Sequence, residues 1–141
     1  MSDARLRAAA LVLAALGIPV AGYLAYVHYA ELDPVCVGGG GGCERVQASD
    51  YSELAGVPVA VIGLVGYIAV GLASSGRGER TLLTAAVLAL TGAGFSVYLT
   101  YLELFVIDAI CQWCVVSLVV MCALAVVAVI RLLRVGASQS A

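Results

Sequence analysis

Four of the chain's cysteines stand in two pairs whose spacing suits thiol–disulfide chemistry. Cys111 and Cys114 form CQWC, and Cys36 and Cys43 bracket the stretch CVGGGGGC. On a helix, positions i and i+3 share one face, with Cβ atoms about 5–6 Å apart. A disulfide prefers them somewhat closer, so CQWC closes with local adjustment, and a strained bond is easier to reduce. Asp108, three residues before Cys111, is placed to cap the helix that follows. The helix N-terminus then turns its free N–H groups and positive dipole end on the thiols, which favours the reactive thiolate. The Asp108 carboxylate opposes this.

The other pair encloses five glycines, a segment that changes shape at low steric cost. Two readings of it stay open: a stapled, solvated loop, or a disulfide that is made and broken. A closed Cys36–Cys43 ring is short, so its entropic stabilisation is modest, which suits a labile bond. The glycines are no phosphate loop, because no G-K-[ST] follows them. Paired thiols also suit a metal site, but the loop offers no histidine. A fifth cysteine, Cys122, lies eight residues past Cys114. That is about 12 Å further along a helix, and it reads as a small buried hydrophobe.

The elements that must position these thiols belong in a bilayer. The 141 residues are 63% hydrophobic and 11% charged, with a mean hydropathy of +1.08. A soluble domain is about 45–50% apolar and about 25% charged. Four runs approach the ~20 residues a membrane span requires: Ala8–Tyr29, Val57–Ser74, Leu82–Ile107 and Ile110–Ile130. The expected fold is therefore an all-α membrane protein, a single domain over 1–141. It is a four-transmembrane-helix bundle with a cysteine-bearing outer loop at 30–56. Tyrosines and Trp113 gather toward the ends of the runs, as in an aromatic belt. The first run is long for a signal peptide, and no clean A-x-A site follows it.

Charge placement orients the bundle. All seven basic residues are arginine. Arg5 and Arg7 precede the first span, Arg77 and Arg80 join the second and third, Arg131 and Arg134 follow the fourth, and Arg45 falls on the other side. The positive-inside rule makes both termini cytoplasmic and places the 30–56 loop and the turn at Asp108 outside. All four paired cysteines then face an oxidising compartment.

The chain also repeats weakly. YLAYVHY begins at Tyr23 and YLTYLEL at Tyr98, and a cysteine follows each start by 13 residues. His28 and Glu103 occupy matching positions in the two repeats. Either could relay protons; the plainer reading of both is a solvated side chain near the outer surface.

Three stretches in register then resemble one family. They are C-x6-C-E-R-V-x-x-S-x-Y in the outer loop, AGVPVAVIGLVGY at the second span, and SVYLTYLELFVIDAICQWC leading into the fourth. Together they resemble the vitamin K epoxide reductase family, and its bacterial homologues most closely, from about Tyr23 to Ser117. The resemblance implies a four-helix bundle around one quinone of the menaquinone or ubiquinone type, in the bacterial plasma membrane with its active site on the outer face. It makes Cys111 and Cys114 the active-site pair, Cys114 facing the quinone and Cys111 exchanging with the loop. Cys36 and Cys43 become the shuttle pair, Cys36 meeting the reduced partner and Cys43 passing electrons to Cys111. Val46, Ser49, Tyr51, Val59, Ile62, Leu99 and Leu118 then lie near the quinone or under the loop that covers it. Asp50–Ala55 is expected as a short helix over the pocket, since Asp50 and Glu53 have capping-box spacing.

Two positions depart from the family. Many members carry an asparagine where this chain has Val59, and vertebrate enzymes a tyrosine where it has Leu118. Both positions are aliphatic here, which puts epoxide reduction in doubt more than quinone reduction. Some bacterial members carry a fused thioredoxin-like domain. Nothing after Ala141 supplies one, so a separate extracytoplasmic thioredoxin-like partner is expected, together with membrane lipid and no nucleic acid. The implied activity is quinone-linked thiol oxidation in support of disulfide formation. The rival classes are a disulfide-stapled membrane scaffold and a quinone-independent thiol or electron carrier.

Overall fold

The computed structural model describes residues 2–32, 53–54, 56–108 and 110–140. Within them the chain forms four helices: α1 (Asp3–Tyr29), α2 (Val59–Ser75), α3 (Glu79–Leu102) and α4 (Gln112–Ser140). Helix α3 runs on into a π-helical turn, Glu103–Ile107. Two short strands, β1 (Glu53–Leu54) and β2 (Val57–Pro58), precede α2 as an antiparallel pair with Glu53 opposite Pro58 and Leu54 opposite Val57. The expected helix over Asp50–Ala55 is thus corrected at Glu53 and Leu54, which are extended. Gly56 sits between the strands at φ 82, a conformation glycine adopts freely and tight hairpins use. That turn, rather than a capping box, sets the local structure.

Segments Asp3–Tyr29, Glu79–Ile107 and Gln112–Ser140 are each long and apolar enough to cross a membrane. Helix α2 has 17 residues, about 25 Å at 1.5 Å per residue, the short end of the spanning range. The helices form a closed ring, α1 against α2, α2 against α3, α3 against α4, and α4 back against α1. This is the four-helix membrane bundle expected from the apolar runs.

Lipid tails are as apolar as leucine, so helices in a bilayer associate through close packing rather than through burial from water. The distribution of side chains follows. Many of the buried residues are small, Ala10, Ala14 and Ala21 of α1, Ala85, Ala86 and Ala89 of α3, Ala125 and Ala128 of α4, set among larger aliphatics such as Val70, Leu82 and Leu124. Large residues such as Leu16, Val65, Leu72 and Val119 face outward. One aromatic ring breaks the pattern. Tyr67 of α2 is fully buried, and its hydroxyl donates to the Ser117 carbonyl of α4 at 2.7 Å and lies 2.8 Å from Ser117 Oγ. Gly17 of α1 makes the room: a Cβ there would overlap the Tyr67 ring.

The end of the bundle opposite the cysteine pair is fastened by one arginine. Arg131 of α4 is 1% exposed. Its Nε donates to Asp3 Oδ1 at 3.1 Å, Nη1 to the Ser74 carbonyl at 2.7 Å and Nη2 to the Gly76 carbonyl at 3.2 Å. These two carbonyls lie at the C-terminus of α2, where backbone acceptors have no helical partner. The guanidinium therefore ties α4 to α1 and α2 at once.

Two stability predictions follow from this packing. Arg131→Ala strips three hydrogen bonds from a charged donor and should cost about 2–3 kcal/mol, read as a lower midpoint in detergent thermal unfolding; an unchanged midpoint would show the clamp to be idle. Gly17→Ala should destabilise by about 1–3 kcal/mol through overpacking. Tyr67→Leu in the same chain should recover part of that loss in a double-mutant cycle.

Candidate functional site

The chain between α3 and α4 must reverse within a few residues, and the cysteine pair is built on that reversal. Asp108 closes the π-helical turn in the left-handed conformation (φ 54, ψ 36), its N–H donating to the Glu103 carbonyl. Asp108 therefore ends the third helix instead of capping the fourth, which corrects the expected cap. Asp tolerates the left-handed region that helix C-termini call for, so the residue serves the element before it.

The cap of α4 is Cys111 itself. Its carbonyl accepts the Val115 N–H at 3.1 Å, and its sulfur takes the backbone N–H groups of Trp113 and Cys114. Cys111 thus fills the N-cap position where Ser, Thr, Asp or Asn usually sits. The helix N-terminus is aimed at a thiol through hydrogen bonds as well as through its dipole, an environment that favours thiolate. Cys111 is fully buried, packed against Ile107, Trp113 and Cys114. The Trp113 ring lies 5.2 Å from that of Tyr23 on α1, tilted by 53°. Cys111, Cys114 and Cys122 carry free thiols. Cys122 is part-exposed on α4 rather than buried.

Glu103 completes the group. It is 2% exposed, and its Oε2 accepts the Cys111 N–H at 3.2 Å. Its carboxyl group is also within hydrogen-bonding reach of the Cys114 thiol. The expected solvated glutamate is thus a buried member of the thiol site. The π-helical turn begins at Glu103, and such turns recur at functional sites. A sequence signal was present: an ionisable residue inside an apolar span is functional by default. His28, its counterpart in the repeat, does something else. Its Nε2 lies 2.9 Å from Glu53 Oε1, joining the end of α1 to β1.

Beside the thiols lies a cavity of about 510 Å³ enclosed mainly by α2, α3 and α4. Cys114 and Ser117 of α4 and Glu103 and Ile107 of the turn line its thiol end. It extends along α3 as far as Leu88, about 22 Å from Glu103 at the helical rise. Glycines and alanines, among them Ala60, Gly63, Gly66 and Gly92, leave the space open. Of the positions expected near a ligand, Val59, Ile62 and Leu99 line this cavity and Leu118 does not. The face of α4 turned to the cavity carries Cys114, Ser117 and Met121, and Leu118 lies off that stripe. Cys36, Cys43, Val46, Ser49 and Tyr51 lie outside the described residues.

Comparison with known proteins follows the same elements. The sequence pattern of the vitamin K epoxide reductase family matches residues 8–129. The thiol-disulfide oxidoreductase LTO1 of Arabidopsis thaliana is 43% identical over 60 residues, which cover 43% of this chain and 16% of that protein. The chain therefore spans only a small part of the curated relative it matches. The family match is broader, running from the first turns of α1 through both walls of the cavity and the cysteine pair to the last apolar turns of α4. By that match, this chain belongs to the vitamin K epoxide reductase family.

Proposed function

We propose that the protein is a membrane thiol–disulfide oxidoreductase that oxidises an extracytoplasmic thioredoxin-like partner and reduces a quinone. The observation that carries this reading is the placement of Cys114 on the wall of an apolar cavity of about 510 Å³. Ligand pockets commonly measure about 300–1,000 Å³ and are apolar with a few convergent polar groups. Here the convergent groups are Cys114, Glu103 and Ser117, all at one end. An apolar ring with an isoprenoid tail suits a cavity that is long, largely apolar and bears a thiol and a carboxyl group at one end. Val59 and Ile62 offer it apolar contact without a hydrogen bond, which favours a menaquinone- or ubiquinone-type ring held by its faces. When bound, the quinone supplies a two-electron, two-proton acceptor.

The residues of this chain do the rest by thiol–disulfide exchange. A reduced partner opens Cys36–Cys43 at Cys36. The freed Cys43 thiolate attacks Cys111, forming a Cys43–Cys111 bond and breaking Cys111–Cys114. Cys114 leaves as thiolate on the cavity wall and takes up a proton. The partner's second thiol then releases Cys36, whose thiolate attacks Cys43 and frees Cys111. This leaves an oxidised partner, a re-formed Cys36–Cys43 bond and the Cys111/Cys114 dithiol. One property of the site assists: the N–H groups of Trp113 and Cys114 hold the Cys111 sulfur in place. The five glycines between Cys36 and Cys43 let that segment serve two docking geometries at low steric cost. Arginines at both termini and at Arg77 and Arg80 support an orientation with termini inside and the thiol site on the outer face of a bacterial plasma membrane.

The test is quinol formation by purified protein in detergent, with a reduced thioredoxin-like donor. Wild type should turn over, and Cys114→Ala should form no quinol. Cys36→Ala should lose the protein donor yet still accept electrons from a small dithiol. If wild type reduces no quinone and its cysteines stay locked as disulfides against the donor, the protein is a stapled scaffold. If its cysteines turn over but ignore quinone, it is a thiol carrier.

A further inference from the structure

Glu103 is the one carboxylic acid buried among the described residues, and thiol exchange leaves it without a task. A carboxyl group inside a membrane span is costly and faces partners or a pathway. Its partners here are a backbone N–H and a thiol rather than a cation: Cys111 N–H at 3.2 Å and Cys114. It also lines the cavity beside Cys114, so one carboxyl group touches both the thiol and the space next to it. The described side chains on that lining that can give up a proton in water are Tyr67, Glu103 and Cys114. The Tyr67 hydroxyl is committed to the Ser117 carbonyl at 2.7 Å, deep between α2 and α4. Glu103 is left as the group able to move a proton at the thiol end.

We propose that Glu103 is a catalytic proton carrier, taking the proton of Cys114 and delivering it into the cavity; this rests on the quinone reading above. The balance is as follows. Oxidation of the Cys111/Cys114 dithiol forms one S–S bond and breaks two S–H bonds, releasing two electrons and two protons. Both electrons go to the quinone bound in the cavity. The Cys114 proton passes to the Glu103 carboxylate and from it to a quinone oxygen, which regenerates the carboxylate. The Cys111 proton exchanges with water, and water returns one to the second quinone oxygen. Glu103 also accepts the Cys111 N–H, so the same side chain holds the first turn of α4 still while protons move.

Glu103→Gln separates the two roles, because the amide oxygen still accepts the Cys111 N–H but the group carries no proton. Cys114 alkylation by iodoacetamide is measured on reduced, quinone-free protein, with the site assigned by mass spectrometry. E103Q should alkylate at least as fast as wild type, since a neighbouring carboxylate disfavours thiolate. Quinol formation by E103Q with a small dithiol donor should fall about a hundredfold, within the range general acid–base groups contribute. Quinol formation by E103Q at the wild-type rate overturns the proposal. So do alkylation and turnover falling together, which marks Glu103 as a positioning residue. A wild type that forms no quinol overturns the quinone reading, and this proposal with it. A wild type that turns over beside an equally fast E103Q overturns this proposal alone.

Discussion

Inside a bilayer a backbone N–H with no acceptor costs several kcal/mol, and the thiol end of this bundle is organised by that constraint. The first N–H groups of any helix have no helical partner. Where α4 begins, the chain satisfies them with the chemistry it carries. Cys111 N–H goes to Glu103 Oε2, and the N–H groups of Trp113 and Cys114 go to the Cys111 sulfur. Capping and reactivity therefore share the same atoms. A serine at position 111 would satisfy the helix but could form no disulfide; a thiol can do both.

The same economy appears in the packing. Small residues are the means by which membrane helices approach closely, and α1 is lined with them toward its neighbours. Other small residues of α2 and α3, among them Ala60, Gly63, Gly66 and Gly92, line a cavity instead. One side-chain class thus produces both the tight seam and the open pocket; what differs is whether a side chain such as Tyr67 fills the gap. Tyr67 needs Gly17 to enter and Ser117 to satisfy its hydroxyl. In doing so it links α2 across the ring to α4, one turn beyond Cys114.

At the opposite end Arg131 performs the complementary task for acceptors. It gathers the C-terminal carbonyls of α2 and the Asp3 carboxylate of α1 around one guanidinium. Glu103 takes up a donor at one end of the ring, and Arg131 supplies donors at the other. Both sit at helix termini: the carboxyl between the end of α3 and the N-terminus of α4, the guanidinium at the C-terminus of α2, where a cation is favoured.

The apolar runs and the pairing of the cysteines determined a helical membrane bundle with a thiol site, because span length and hydropathy are local properties of the chain. The family motifs, also local, pointed to Val59, Ile62 and Leu99, which line the cavity. Three features could not be read this way. Asp108 suits a helix start and a helix end equally, and only the route of the chain between α3 and α4 chose the end. Leu118 lies off the stripe of α4 that faces the cavity, a matter of rotation about the helix axis set by packing against α1 and α3. Glu103 stands in sequence as one charge near the end of an apolar span, a signal of function that does not say which groups it meets. A π-helical turn and the reversal at Asp108 bring it under Cys111 and Cys114, eight and eleven residues away. Spacing along one helix is fixed by its 3.6-residue period; the meeting of a carboxylate and two thiols across a break between helices depends on how that break folds, and this only the tertiary structure decides.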